Sequence, residues 1–139
     1  MLKTACINPE LTGFLAACGH GDKILIADGN YPLESNTCDT THKIYLGLTH
    51  GIPAVTQVLK VISDTVAIEA AEVMLPESGK EPEVFSEFRK LLPNGLSLGN
   101  LSRYEFYEAC SQSNIKIAIA TGEQRTFANI LLTIGVVGL

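Results

Sequence analysis

The sequence has few basic residues, and nowhere does it concentrate them. Ten lysines and arginines are scattered along 139 residues, and the formal net charge is −5. Binding to nucleic acid or to an anionic membrane surface needs clustered positive charge that can neutralise phosphates. The sequence therefore argues against both a nucleic-acid partner and a membrane partner.

Long apolar runs are lacking as well. The C-terminal run, ILLTIGVVGL at 130–139, has about half of the roughly 20 residues that a membrane-spanning helix requires, and its β-branched residues predict a buried strand. Near the N-terminus, LAAC at 15–18 resembles a lipoprotein cleavage site. Asn8, Pro9 and Glu10 interrupt the apolar segment that such a signal needs, so we expect a cytoplasmic protein.

Signatures of cofactor sites and disulfides are missing too. The sequence contains no phosphate-binding loop, no nucleophile elbow and no dinucleotide-binding fingerprint. Its four cysteines form no C-x-x-C pair, and we expect reduced, mostly buried thiols. His42 and His50 with Asp39 support only a weak metal hypothesis, because their spacing is not that of a ligand set. The sequence itself therefore carries no strong signal for a metal site or for a nucleotide-binding site.

What the sequence does contain is an alternation of helical and strand patterns from end to end, which is typical of an α/β protein. Apolar residues make up 46% of the chain, enough for a core, and its length predicts a single domain over 1–139. Helices are predicted to begin at 8–10, at GIP (51–53) and at the Ser102/Glu105 capping box, and a further helix is predicted over 84–92. Strands are predicted over 23–27, 65–74, 115–120 and the C-terminal run, with a short apolar run at 44–48. Loops are predicted over 29–43 and 93–100.

Polar side chains flank the predicted strand 23–27. His20, in GHGD (19–22), precedes the strand, and Asp28 follows it. Ligands of open α/β sheets bind outside the carboxyl ends of strands, which favours Asp28 and the turn at 121–123. His20 belongs either to a different site or to the same pocket through a neighbouring subunit, and the spacing leaves both alternatives open.

The chemistry of these residues also allows alternatives. A histidine with a pKa near 6.5 suits proton transfer, but His20 between two glycines could equally cap the carbonyls of a helix end. Asp28 could accept a hydrogen bond from a sugar hydroxyl, orient a histidine, or close an Asx turn. Arg103, in a helix first turn where the macrodipole disfavours it, either grips an oxygen-rich ligand or is a surface arginine. Asn129 can donate to and accept from a polyol.

Six motifs together resemble the RbsD/FucU family of D-ribose pyranases and L-fucose mutarotases. They are GHGD (19–22), ADGNYP (27–32), LTHGIPAVTQVL (48–59), IEAA (68–71), SRYEFYE (102–108) and TGEQRTFANILLTIGV (121–136). The resemblance implies a three-layer α/β/α fold with a central mixed, largely parallel sheet. It also implies a homo-oligomer, a decamer of two pentameric rings, whose active sites lie at subunit boundaries. The resemblance further implies that no metal and no organic cofactor takes part.

The activity that the resemblance implies is isomerisation of a monosaccharide, by acid/base ring opening between anomers or ring forms. His20 matches the catalytic histidine of the family, Asp28 its nearby aspartate, and Asn129 its sugar-binding asparagine. Arg103 matches an arginine of the fucose branch, whereas LTHGIPAVTQVL is similar to the ribose branch. The sequence therefore does not choose the sugar.

Phe127 departs from the family pattern, which usually has tyrosine two residues before the asparagine. Either His20 and Asp28 carry the chemistry, or the protein is a non-catalytic monosaccharide-binding or regulatory protein on the same scaffold. Tyr31, Tyr104 or Tyr107 could replace the missing phenol in space. A further hypothesis, outside the family, is a small metal-dependent hydrolase that uses His20 with His42 and His50.

Overall fold

The computed structural model describes residues 1–138. Its elements in chain order are α1 (Pro9–Ala17), β1 (Lys23–Ala27), β2 (His42–Tyr45), α2 (Val55–Ser63), β3 (Ile68–Met74), α3 (Val84–Leu91), β4 (Leu98–Leu101), α4 (Arg103–Cys110), β5 (Ile115–Ala120) and β6 (Ile130–Ile134). Among the described residues, no helix has the length and apolar character that crossing a membrane demands.

All six strands form one sheet in the order β2-β5-β1-β6-β3-β4. Strand β5 is parallel to β1 and β2, β4 is parallel to β3, and β6 is antiparallel to both of its neighbours. Five strands therefore finish at one end of the sheet, and β6 begins there. We call this the carboxyl end of the sheet and the opposite one the amino end. The predicted mixed, largely parallel sheet is confirmed.

Side chains of β1 alternate between two cores, one on each face of the sheet. Ile24 and Ile26 are fully buried in a core that includes residues of α1, α2 and α3. Leu25 and Ala27 are fully buried in a second core, which includes Phe106 of α4. Because successive strand residues point to opposite faces, a continuous apolar strand needs helices on both sides. The predicted three-layer α/β/α arrangement is confirmed.

Capping residues start two of the helices as predicted. The Asn8 side chain accepts a hydrogen bond from the Leu11 backbone N–H (2.9 Å), and Pro9 occupies the first turn of α1. At α4, the Ser102 hydroxyl accepts from the Glu105 N–H (3.3 Å) while the Glu105 carboxylate accepts from the Ser102 N–H (3.4 Å). These contacts satisfy N–H groups that have no partner inside a helix.

Sequence predictions are wrong at several element boundaries; the strand predicted over 65–74, for example, begins only at Ile68. The sequence predicts a loop over 93–100, but the end of that segment belongs to β4, a short edge strand that exists through pairing with β3. The predicted loop 29–43 ends early, because His42 opens β2 and pairs with β5. The helix predicted to start around Pro53 instead begins at Val55. Short strands at a sheet edge have little pattern of their own, so tertiary pairing decides them.

The C-terminal run is a strand only in its first half. Strand β6 ends at Ile134, and residues 135–138 have no regular structure. Position 139, the last residue of the predicted strand, lies outside the described residues.

Candidate functional site

Asp28 and Asn129 form a buried polar pair at the carboxyl end of the sheet. Asp28 follows β1, and Asn129 precedes β6, which runs the opposite way, so the two side chains meet although they are 101 residues apart. The Asn129 Nδ2 donates to Asp28 Oδ2 (3.0 Å), and the Asp28 backbone N–H donates to Asn129 Oδ1 (2.8 Å). This reciprocal contact fixes both side chains.

The Asp28 carboxylate also closes an Asx turn, because its Oδ1 accepts from the Asn30 N–H (2.9 Å). This structural role, one of the sequence alternatives, is therefore present. Burial raises the pKa of Asp28, and hydrogen bonds from Asn30, Asn129 and Tyr31 offset only part of that rise. Each oxygen keeps an acceptor position beyond the contacts named. The carboxylate can thus hold hydroxyl groups while remaining in its turn.

A cavity of about 210 Å³ lies beside this pair. Its lining residues are Asp28, Asn30, Tyr31, Met74, Arg103, Tyr107, Thr126, Phe127 and Asn129. Four of the five predicted site residues thus line one cavity. Cavities for drug-sized ligands are about 300–1,000 Å³, so this volume suits a smaller molecule. One part of the wall is polar, and the other is aromatic or apolar.

Arg103 lies at the mouth of this cavity, where α4 begins. Its guanidinium carbon is 5.6 Å from the centre of the Tyr107 ring, a cation–π distance. A hydrogen bond with Tyr107 raises the pKa of Arg103 above its ordinary value, and an arginine is charged at neutral pH in any case. The side chain is exposed and offers several N–H donors to a ligand.

Phe127 is the one non-glycine residue in the range 1–138 whose φ is positive, at 60°. A phenylalanine in the left-handed region is strained, and such strain is concentrated at functional sites. The residue lies two positions before Asn129, on the wall of the cavity. The strained turn thereby places the ring and the asparagine side by side.

Two of the three tyrosines considered as replacements for a phenol at 127 line the cavity. Tyr107 is half-buried, and Tyr31 is buried with its ring edge-on to Phe106. The Tyr31 hydroxyl has no hydrogen-bond partner within the described part of the chain, and burial beside the Cys110 thiol raises its pKa. Tyr104 is 74% exposed and does not line the cavity.

His20 lies at the amino end of the sheet, in a turn that the GHGD residues build. The Gly19 N–H donates to Asp22 Oδ2 (2.8 Å). Gly21 has a φ of 86°, a conformation that favours glycine, and its N–H donates to the Ile134 carbonyl (2.9 Å). The His20 side chain is 60% exposed, and its Nε2 is 3.0 Å from Glu69 Oε2. The imidazole is thus accessible from solvent.

A single chain does not bring His20 and Asp28 together. Strand β1 separates them, and its five residues span about 17 Å at 3.3–3.4 Å per residue. Within one chain Asp28 therefore does not orient His20, and the histidine contacts Glu69 instead.

Glu123, in the predicted turn after β5, is committed to structural contacts. Its buried carboxylate accepts hydrogen bonds from the Val55 N–H (3.3 Å) and from Arg125 Nη2 (3.0 Å). Burial alone would raise the pKa of Glu123, but Arg125 and Val55 lower it overall. A second pocket of about 540 Å³ adjoins this turn and is lined by Thr49, His50 and Gln124 among others.

The histidines invoked for a metal site are dispersed. His42 stacks on Phe14, with ring centres 3.8 Å apart, whereas His50 lines the 540 Å³ pocket and His20 lies at the amino end of the sheet. Across positions 1–138, no group of three or more histidine, cysteine, aspartate or glutamate side chains is placed to hold a metal ion. The ligands of the metal hypothesis, His42, His50 and Asp39, are therefore not assembled into one site among the described residues.

Some residues that line the cavity or contact His20 could not be assigned to a site from the sequence. Met74 and Thr126 line the cavity, and Glu69 contacts His20, yet the sequence predicts each only as part of a strand or a polar segment. Glu69 is 49 residues from His20, so no spacing rule connects them. Only the order of the strands in the sheet reveals these contacts.

Comparison with known proteins gives a consistent result. The model of the RbsD/FucU transport protein family matches residues 1–137. D-ribose pyranases of Chloroflexus aggregans and Psychromonas ingrahamii are 30% and 34% identical to this chain, each covering 99% of both sequences.

Solved structures agree with these relatives. The structure of Bacillus subtilis RbsD complexed with D-ribose matches with a TM-score of 0.85 and 30% identity, over 99% of this chain and 100% of that one. The fucose mutarotase of Streptococcus pneumoniae in complex with L-fucose matches with a TM-score of 0.83 and 27% identity, over the same shares. The predicted family is thus confirmed, and the chain belongs to the RbsD/FucU transport protein family.

Proposed function

We propose that this protein is an isomerase that interconverts the anomers or ring forms of a monosaccharide such as D-ribose or L-fucose. The observation that carries the proposal is the small cavity in which the Asp28–Asn129 pair meets Arg103 and Phe127. Relatives named D-ribose pyranase, and related structures with bound ribose or fucose, support the same class of reaction.

The cavity has the side chains that binding a sugar requires. Asp28 accepts hydrogen bonds from hydroxyl groups, Asn129 accepts and donates, and Arg103 donates at the mouth. The Phe127 ring offers an apolar surface to the C–H face of the sugar. A site built to pair hydroxyl groups rejects analogues that lack them, because its buried polar atoms would lose their partners.

The reaction needs only proton transfer. A base takes the proton from the anomeric hydroxyl, the bond from C1 to the ring oxygen breaks, and an acid protonates that oxygen. The resulting aldehyde rotates and closes again on its other face. A positioned acid/base group contributes about 10²–10⁴-fold to such a step. We assign this role to His20, whose imidazole is exposed and, as an imidazole, can both accept and donate a proton.

The His20 that serves a given cavity comes from a neighbouring copy in this proposal, since β1 separates His20 from Asp28 in one chain. The proposal therefore includes a homo-oligomer, a decamer of two pentameric rings, working in the cytoplasm. Analytical ultracentrifugation tests the assembly, and we expect a mass of about ten chains. A monomer at micromolar concentration would contradict it.

NMR magnetisation exchange between sugar anomers tests the activity. We expect catalytic amounts of protein to accelerate exchange for at least one of D-ribose, L-fucose, galactose and rhamnose. His20→Ala should lower the gain by about 10²-fold or more. The matched control is His42→Ala, which removes a histidine remote from the cavity and should leave the gain intact. Exchange at the buffer rate with every sugar would refute the proposal.

Phe127 favours one alternative, a non-catalytic monosaccharide-binding or regulatory protein, because its ring carries no hydroxyl. That protein would broaden sugar resonances on binding, yet leave anomer exchange at the buffer rate. Phe127→Tyr separates the two cases. A strong rise in exchange in this variant alone would assign the loss of turnover to the missing phenol.

A further inference from the structure

Glu69 sits in a β-bulge at the amino end of the sheet. In the pairing of β3 with β6, Ile68 lies opposite Ile134, whereas Ala70 lies opposite Thr133. One extra residue, Glu69, is therefore inserted on β3. A bulge interrupts the hydrogen-bond ladder and redirects a side chain, and bulges are over-represented beside active sites.

The redirected side chain reaches His20. Both carboxylate oxygens of Glu69 lie within hydrogen-bond distance of His20 Nε2, at 3.0 and 3.1 Å. Strand β6 lies between β1 and β3, so this contact passes over the end of β6.

Gly135, directly after β6, leaves room for that contact. A Cβ atom at position 135 would lie 3.0 Å from Glu69 Cβ and 3.4 Å from Glu69 Oε2. The Gly135 N–H also donates to the Ala67 carbonyl (2.9 Å), which ties this position to the residues preceding the bulge. A side chain at 135 would therefore force Glu69 to shift by a few tenths of an ångström.

The stability of the fold does not by itself explain the bulge, Gly135 and the contact between His20 and Glu69. The His20 and Glu69 side chains are 60% and 42% exposed, and exposed ion pairs contribute little to folding. Yet a bulge, a glycine and the turn braced by Asp22 all serve to place these two groups. Together these features hold the exposed imidazole of His20 in one orientation.

We propose that Glu69 is the positioning residue of His20. Its carboxylate accepts the Nε2–H, which fixes the plane of the ring and leaves Nδ1 as the atom that takes and returns the proton of the sugar. This inference rests on the proposed function. Orienting a histidine through a carboxylate on its other nitrogen fixes the tautomer as well as the geometry.

Steady-state kinetics of Glu69→Ala test the inference. We expect kcat to fall roughly tenfold to a hundredfold, because small misplacements of a reacting group cost that much, while KM and the melting temperature stay unchanged. Glu69→Gln keeps an acceptor oxygen and should recover part of kcat. The matched control is Glu72→Gln on the same strand, where the carboxylate pairs with Lys23 instead (3.3 Å), and it should behave as wild type. An unchanged kcat in Glu69→Ala would overturn the inference.

Gly135→Ala provides a second route that keeps both partners. It should lower kcat in the wild-type background by displacing the Glu69 carboxylate. It should have no further effect on kcat in Glu69→Ala, where that carboxylate is already absent, although the close contact with the Cβ of residue 69 remains. Additive effects of the two substitutions would overturn the inference.

Nitrogen-15 NMR of the His20 ring separates this inference from the proposed function. In wild type we expect Nε2 to be the protonated nitrogen, and we expect Glu69→Ala, but not Glu72→Gln, to shift both ring resonances. That response in a protein that isomerises no sugar would support the positioning contact and refute the function. Turnover in wild type with ring resonances insensitive to Glu69→Ala would refute the positioning and leave the function standing.

Discussion

The contact between Asp28 and Asn129 sets the chemical character of the cavity. A buried carboxylate held by an amide on one side and a backbone N–H on the other presents fixed acceptors to a ligand. Burial raises the pKa of Asp28, so the folded protein binds this proton more tightly than the unfolded chain does. The contribution of Asp28 to stability is therefore greatest below the ordinary carboxyl pKa, near 4, and falls as pH rises.

Asn129→Asp should strengthen that pH dependence. It replaces a donor 3.0 Å from Asp28 Oδ2 with a second carboxylate, and two such groups cannot both ionise without repulsion. We expect a loss of about 1–3 kcal/mol at neutral pH that shrinks towards pH 4. Melting temperatures between these pH values check this, with Asn94→Asp in an exposed loop as the control. A loss that does not vary with pH would argue against the pair as described.

Tyr31→Phe tests the buried hydroxyl in the cavity wall. Because that hydroxyl is buried without a hydrogen-bond partner among residues 1–138, its removal should raise the free energy of unfolding by about 1 kcal/mol. Chemical denaturation measures the change, and Tyr104→Phe at an exposed position should have no effect. A destabilised Tyr31→Phe variant would mean that the hydroxyl does have a partner, such as the Cys110 thiol.

At the scale of elements, the turn after β5 organises the carboxyl end of the sheet. The Gly51 N–H donates to the Gly122 carbonyl (2.5 Å), and the Gly29 N–H donates to the Glu123 carbonyl (2.8 Å). Loops that follow β1 and β2 are thus both tied to the same turn. Gly122 permits this, since a Cβ there would lie 2.5 Å from the Ile52 carbonyl oxygen.

Gly122→Ala should therefore destabilise the protein by about 3 kcal/mol, because the atoms it meets belong to backbone and cannot rotate away. Gly13→Ala is the matched control, since Gly13 lies in α1 and a Cβ added there would meet no heavy atom within 4 Å. It should stabilise the helix by about 0.5–1 kcal/mol. Urea midpoints give both values, and equal effects in the two variants would contradict the packing described.

Sequence patterns predict the elements that have strong local signals. Asn8, Ser102 and the alternating apolar residues of β5 carry enough information to define α1, α4 and a central strand. Local sequence patterns do not predict strand β4, because these four residues at the sheet edge form a strand only through pairing with β3. The Asp28–Asn129 contact follows from β6 running antiparallel, which no local spacing reveals. The resemblance to a family supplies these residues where physical reasoning from spacing cannot.

At the scale of the whole molecule, the distribution of groups over the sheet is the main feature. The cavity with Asp28 and Asn129 is at one end, and His20 with Glu69 is at the other. A rigid sheet cannot fold these ends together, so the proposed reaction requires two copies of the chain. Each copy would give its cavity to one site and its histidine to another, as cyclic, heterologous assemblies allow.

Complementation between inactive variants tests this arrangement most directly. His20→Ala and Asp28→Asn, each inactive alone, are co-expressed with different tags, purified as mixed oligomers and assayed for sugar exchange. Random assembly should restore roughly a quarter of the wild-type activity, since a site is intact when a cavity from one variant meets a histidine from the other. Asp28→Asn co-expressed with Asn129→Ala damages the same half of every site and should recover nothing. Mixed His20→Ala and Asp28→Asn oligomers that stay as inactive as their parents would contradict the shared site.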